Sequence, residues 1–178
     1  MEEIQLKDET LESLCARRSI RKYKPDQIAS ETLEAVLRAG TYAPSGMNRQ
    51  SAAIVVVQDR ETRDLLSLIN AQIMGTDGDP FYGAPTVLVV FADSRCPTHV
   101  EDGSLVLGNL LNAAYAAGLG SCWIHRARQT FETPEGKSLL QKWGLDENFV
   151  GIGNCILGYA DMPLPAPAPR REGFVIRN

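Results

Sequence analysis

The chain has 178 residues, 44% of them hydrophobic and 22% charged, a globular composition that excludes intrinsic disorder and fibrous repeats and leaves room for a sizeable core. Its length fits one domain rather than a fusion of two. Eighteen Lys and Arg against twenty-two Asp and Glu give a net charge of -4, which argues against nonspecific binding of nucleic acid or anionic membranes as the main role. The four cysteines, Cys15, Cys96, Cys122 and Cys155, form no CxxC pair, and no His stands at zinc-ligand spacing. No secretory leader is expected in the opening MEEIQLKDET, so a reduced, cytoplasmic chain without a structural metal is the expectation.

In chain order, Glu9 to Arg17 reads as a first helix. A second is predicted after Ser30 as N-cap, with Leu33, Val36, Leu37 and Gly40 recurring on one face. The stretch 43–50, APSGMNRQ, is dense in turn residues and reads as a loop. Ile54 to Val57 is a short β-branched strand, followed by Asp59 as N-cap of a charged amphipathic helix reaching about Asn70. Beyond a Gly/Asp/Pro loop, Thr86 to Phe91 is apolar on both faces and therefore predicted to be a central strand.

Asp102 is predicted to begin a long helix. Ser104 to Ile124 runs twenty-one residues without a charge, close to the length of a membrane span. Asn109, Asn112, Ser121 and the repeated Ala and Gly make it too polar and too slight for one, and Gly118-Leu-Gly120 ends a helix, so a buried soluble helix is expected. Its Ala/Gly side would let another helix approach closely. Cys122 to Ile124 is a short strand or extended exit. Thr133-Pro134 marks an N-cap with Pro at the first helical position, and Gly144 closes that helix. Phe149 to Tyr159 reads as a strand interrupted by Gly151 and Gly153. The Pro-alternating segment 163–169 cannot be helix and reads as an extended arm that carries Arg170, Arg171 and a last short strand, 174–176, to a distant place. No internal repeat and no second domain are visible.

Three clusters carry candidate chemistry. Residues 17–24, RRSIRKYK, are basic at five of eight positions in an acidic chain. Arg forks and a Ser hydroxyl just past a helix suit a phosphate dianion, although a basic helix C-terminus answering the macrodipole has the same composition. In the 44–50 loop, the Asn48 and Gln50 amides each offer a donor and an acceptor to the edge of a heteroaromatic ring, and a plain turn is the alternative. Arg170 stands at the end of the Pro-rich arm, where a solvated tail is the alternative. No Ser/His/Asp set, carboxylate pair or metal motif accompanies them. His125 reads as a surface or supporting residue, with pocket lining or proton donation the alternative, and Trp123 as packing rather than a substrate stack.

The order RRSIRKY, APSGMNRQ, a VVV strand, GLGSCWI, GNCILGYA and a Pro-rich tail ending in Arg resembles the FMN-dependent nitroreductase family over Ala16 to Val175. The resemblance implies an α+β fold, a three-layer α/β/α sandwich with a central, mainly antiparallel sheet. It implies one domain over 1–178, in an intertwined homodimer in which the arm 161–178 wraps the partner and adds a strand to its sheet. FMN would sit at the subunit interface, with NADH or NADPH as reductant and a nitroaromatic, quinone or similar small molecule as acceptor. Flavin-dependent reductive dehalogenation, enone reduction, or flavin binding and delivery without turnover are the competing activities. No nucleic acid, membrane or metal partner is implied.

By the same resemblance, Arg17 and Ser19, with Arg18 between them, match phosphate and ribityl contacts, and Arg21 a cation near the flavin N1 and C2 carbonyl. Pro44, Ser45, Asn48 and Gln50 match the loop that reaches the cofactor of the other subunit. Asn70 matches an amide offered to the ring edge, Cys122 and Trp123 match backbone groups beside N5, and Arg170 matches the C-terminal arginine on the phosphate. The sequence departs from the pattern at Ser51-Ala52, where relatives carry Pro and an aromatic, and at Ala168, where a Lys is common. Arg171 is then expected to share the phosphate.

Overall fold

A computed structural model describes residues 9–178. The stretch 1–8, which opens the segment where no secretory leader is expected, lies outside the described residues. Among these there are four strands, β1 (Ala52–Val57), β2 (Thr86–Asp93), β3 (Gly120–Ile124) and β4 (Phe149–Gly158), and all join one antiparallel sheet in the order β1-β2-β4-β3. The helices are α1 (Glu9–Ala16), α2 (Ser30–Thr41), α3 (Arg60–Met74), α4 (His99–Ala116), α5 (Ala127–Glu132) and α6 (Pro134–Lys142).

Alternation along β2 divides the core into two. Val87, Val89 and Phe91 face Leu66 of α3, Phe131 of α5 and Leu139 and Leu140 of α6. Leu88 and Val90 face Val36 of α2 and Leu107 and Leu110 of α4. Helices therefore cover both faces of the sheet, which gives the three-layer α+β architecture expected above. β2 is central because nothing on it is polar between Thr86 and Asp93. Val87 through Ala92 are all fully buried, and each large side chain among them contributes roughly 1.5–3 kcal/mol relative to exposure. Phe91 meets Phe131 edge-on, with centroids 4.6 Å apart.

Local signals place most boundaries. Asp59 caps α3 by accepting from the Thr62 N–H, and Thr133 caps α6 by accepting from that of Gly136. α3 runs past Asn70 to Met74 and ends only at Gly75, whose left-handed φ of 73° breaks the helical pattern. Ser30 lies inside α2, whose cap position is Ala29 without a side-chain bond. β1 begins at Ala52 rather than Ile54. α4 begins at His99 rather than Asp102, which sits buried in its first turn. Among the described residues no helix is long and apolar enough to cross a membrane.

Three further departures have physical causes. β4 is continuous through Gly151 and Gly153: Val90 pairs with Gly153 and Phe91 with Gly151, so Ile152 bulges out. The two glycines serve close approaches, since a Cβ at Gly151 would strike the Ala127 backbone and one at Gly153 the Trp123 indole. α5 was not anticipated because its N-cap, Arg126, is left-handed and offers no capping side chain. The run 174–176 forms no strand: Phe174, Val175 and Ile176 are all exposed, and apolar β-branched residues need a neighbouring edge to become one.

Candidate functional site

The basic segment is stitched to the sheet through its backbone. Ser19 bridges Ser121, and the Ile20 N–H donates to the Ser121 carbonyl at 3.0 Å. Tyr23, whose phenol burial holds protonated, donates to the Ile20 carbonyl at 2.7 Å. The Lys24 N–H bonds the Tyr159 carbonyl and the Asp161 N–H bonds that of Lys22, both at 2.9 Å, and Lys22 pairs with the Asp161 carboxylate at 2.7 Å. The segment thus lies against the root of the C-terminal arm, where Met162 sulfur accepts the Arg21 N–H.

The two readings of this cluster divide between neighbours. Arg18 ends α1, its Nη1 donating to the carbonyls of Cys15 and Arg17 at 2.7 Å each, while its buried Nε has no partner. That is the helix C-terminus reading, so Arg18 is a capping residue in this chain. The half-buried Arg17 and exposed Arg21 make no side-chain hydrogen bond or ion pair with the described residues. In an acidic protein, two guanidinium groups without a carboxylate, flanking the Ser19 hydroxyl, fit an anionic ligand such as a phosphate dianion.

The 44–50 loop holds a different kind of site. Residues 46–48 form one tight 3-10 turn, and Met47, Asn48 and Gln50 all have left-handed φ, at 52°, 54° and 49°. Ser45 Oγ accepts the Gln50 N–H at 3.0 Å, and the Gln50 side-chain amide reaches Asn48 Oδ1 at 3.3 Å. Pro44, Asn48 and Gln50 are exposed and Ser45 half-buried. Behind the loop, Pro44, Ser45, Gln50, Ile54, Asp102 and Val106 line a cleft of about 380 Å³. Gly46 is required by close approach, because a Cβ there would collide with the Thr98 side chain.

Asp102, read in sequence only as a helix start, is the residue that sequence reasoning missed. It is 2% exposed and accepts from the Gly46 N–H at 2.9 Å, Ser51 Oγ at 2.7 Å and Thr98 Oγ1 at 3.2 Å. Burial pushes its carboxyl up, but the bonds from Ser51, Gly46 and Thr98 outweigh this and hold it below the usual range. The departure at Ser51 thus brings a hydroxyl donor to this carboxylate. The only sequence signal was position: Asp102 is the last charge before the long uncharged run.

Other expected site residues are placed differently. Asn70 is fully buried, and its amide donates to the His125 carbonyl at 2.8 Å, with Oδ1 left unpartnered. It faces no open surface, because α3 is pressed onto the turn after β3. Cys122 is 3% exposed and Trp123 half-buried against Gly153, so both side chains are packing groups. The turn they lead into contains exposed His125 and Arg126, which is left-handed at φ 75°. Arg170 is exposed and bonds only the Ala168 carbonyl, two residues before it.

The two polar clusters stand at opposite corners of the sheet. The loop enters β1 and the basic segment flanks β3, the two edge strands, roughly 14 Å apart. Along β2, the row of Ala52 and Ala92 is separated from that of Ser121, Leu157 and Thr86 by roughly 20 Å. Within one chain the two clusters therefore flank opposite ends of the sheet's diagonal.

A family model described as "Nitroreductase family" matches residues 14–159, which span every strand and both polar clusters. The chain belongs to the nitroreductase family. Among similar proteins, a candidate NADH dehydrogenase/NAD(P)H nitroreductase of Archaeoglobus fulgidus is 34% identical over 158 residues, covering 85% of this chain and 86% of the relative. A nitroreductase with bound FMN from Bacteroides fragilis superposes with a TM-score of 0.87 at 29% identity, covering 96% of this chain and 98% of the other. An FMN-dependent nitroreductase from Clostridium difficile gives 0.81 at 28% identity, covering 96% and 99%. This nitroreductase-family chain therefore shares the fold over its length.

Proposed function

We propose that the chain is an FMN-dependent NAD(P)H oxidoreductase of nitroreductase type, working as a homodimer whose two sites each draw on both chains. The observation that carries this reading is the pair of guanidinium groups, Arg17 and Arg21, without a partner among the described residues, at the opposite corner of the sheet from the amide-bearing loop. Each cluster is half of a site for a ligand with a phosphate at one end and a heteroaromatic edge at the other.

When bound, FMN supplies two-electron transfer between a nicotinamide nucleotide and an electron-poor acceptor such as a nitroaromatic or a quinone. Arg17 and Ser19 hold the phosphate and its linker by charge-assisted bonds. Arg21 would set a positive charge near the ring and favour negative charge there by Coulomb attraction. From the partner chain, Pro44, Ser45, Asn48 and Gln50 would hold the ring, the two amides offering donors and acceptors to its polar edge. The turn after Trp123 would offer it backbone groups. Arg170, carried by the arm 161–178, adds a second cation to the phosphate, with Arg171 beside it. This set binds and orients, and needs no acid, base or nucleophile of its own.

Anaerobic addition of NADH or NADPH to FMN-loaded protein tests the reading. Rapid bleaching of the visible flavin absorbance, restored by a nitroaromatic or a quinone, is the expected outcome. Bound flavin that neither nucleotide bleaches would reduce the protein to a flavin carrier.

A further inference from the structure

The 44–50 loop adopts a conformation that its sequence does not favour. Met47 and Gln50 are ordinary L residues in the left-handed region, and only Asn48 of the three tolerates it readily. Inside the loop, the Asn48 and Arg49 N–H groups bond the carbonyls of Ser45 and Gly46 at 3.0 and 3.1 Å, and the Gln50 N–H bonds Ser45 Oγ. These local bonds close the turn, but do not orient it relative to the sheet.

Orientation comes from Asp102. One carboxylate oxygen accepts the N–H of Gly46 at the start of the turn, and the other accepts the Ser51 hydroxyl just past its end. The two ends of the loop are therefore gripped by the two oxygens of one side chain, itself carried on rigid α4 and steadied by Thr98. Among the described residues Asp102 has no Lys or Arg ion-pair partner, so these donors, with a smaller contribution from nearby His99, offset the cost of its burial. A buried acceptor that meets two loop ends is worth more than a surface contact, because releasing either end leaves charge unsolvated.

We propose that Asp102 is a positioning residue: its carboxylate clamps Gly46 and Ser51 so that the loop presents Ser45, Asn48 and Gln50 to the ring site of the neighbouring chain. The proposal rests on the FMN-dependent reading for what the loop presents its groups to, and stands on this chain's own geometry for the clamp. Asp102 touches no ligand and acts through the loop.

The test uses the full chain as apoprotein and FMN-loaded protein, comparing wild type with Asp102→Ala, Asp102→Asn and Ser51→Ala. Amide hydrogen exchange is read in peptides spanning 45–51 and in β2 and β4, and FMN affinity by titration of apoprotein. Asp102→Ala is expected to speed exchange in 45–51 by about tenfold or more, leave β2 and β4 unchanged, and weaken FMN binding by a similar factor. Asp102→Asn, which keeps an acceptor for the Gly46 N–H, and Ser51→Ala, which removes one donor, give smaller effects in the same direction. Unchanged exchange in 45–51, or a rise shared equally by the core strands, would overturn the clamp. If Asp102→Ala does not fold, the other two variants decide by the same criterion. Failure of wild type to bind FMN removes the FMN reading, while the exchange data still decide whether Asp102 holds the loop.

Discussion

The side-chain amide of Asn70 donates to the backbone carbonyl of His125 at 2.8 Å, tying α3 to the turn that follows β3 across 55 residues of chain. That carbonyl precedes Arg126, whose left-handed backbone opens α5. Replacing Asn70 with Leu keeps the branched shape but leaves the part-buried His125 carbonyl without its donor. The expected cost is about 1–3 kcal/mol of stability, measured as a shift in urea midpoint. An unchanged midpoint would mean that water replaces the amide.

Gly46 lies against Thr98 at the foot of α4, with no space for a methyl group. Gly46→Ala is expected to destabilise the protein by about 1–3 kcal/mol, as for other insertions into close contacts. The double variant Gly46→Ala/Thr98→Ala frees the space, so its cost in a denaturation series should fall below the sum of the single costs.

Asp79 and Asp102 are among the carboxylates that the fold holds below their usual range. Burial pushes Asp79 up, but bonds from Arg63, Ser67 and the N–H groups of Gly83 and Phe81 outweigh it, and Asp102 shows the same balance. Both are therefore lowered in the folded protein, so their stabilisation is present above the unfolded carboxyl range, near about 3.9, and is lost as pH falls through their folded values. The melting temperature should be flat from neutral pH to about pH 5 and fall below about pH 4. Asp79→Asn should lower the plateau and shallow the acid fall; an acid fall as steep as wild type would assign it to other groups.

Arg17 is the cation of the basic segment best suited to hold a ligand, being half-buried and without a side-chain partner among the described residues. Arg17→Ala is expected to weaken FMN binding by about tenfold to a hundredfold, the range for a charge-assisted contact of ~1.5–3 kcal/mol. Arg18→Ala, by contrast, should act on the end of α1 through the lost bonds to Cys15 and Arg17 carbonyls, with a smaller effect on affinity. Titration of both apoproteins separates ligand contact from helix cap.

What was legible in the sequence was local. Asp59 and Thr133 announce their helices because a capping side chain acts within three residues, and β2 announces its central place through an unbroken apolar run. α5 carried no such mark, since its start depends on a backbone twist at Arg126. In sequence Asp102 reads as a helix start because an Asp before an apolar run usually is one; its partners, Gly46 and Ser51, lie more than fifty residues upstream. The amide of Asn70 looked available for a ligand for the same reason, its burial being set by α3 packing on the β3 turn. RRSIRKY displayed its charge openly but not its division of labour, which follows from where α1 stops.

In the proposed dimer, two half-sites held at opposite corners of one sheet are completed by a second copy of the chain. Titrating the apoprotein with FMN while measuring its mass by sedimentation tests this most directly. The expected result is a dimer that saturates at one FMN per chain. A monomer that binds FMN as tightly as any assembled form, or a dimer that takes up none, would contradict it.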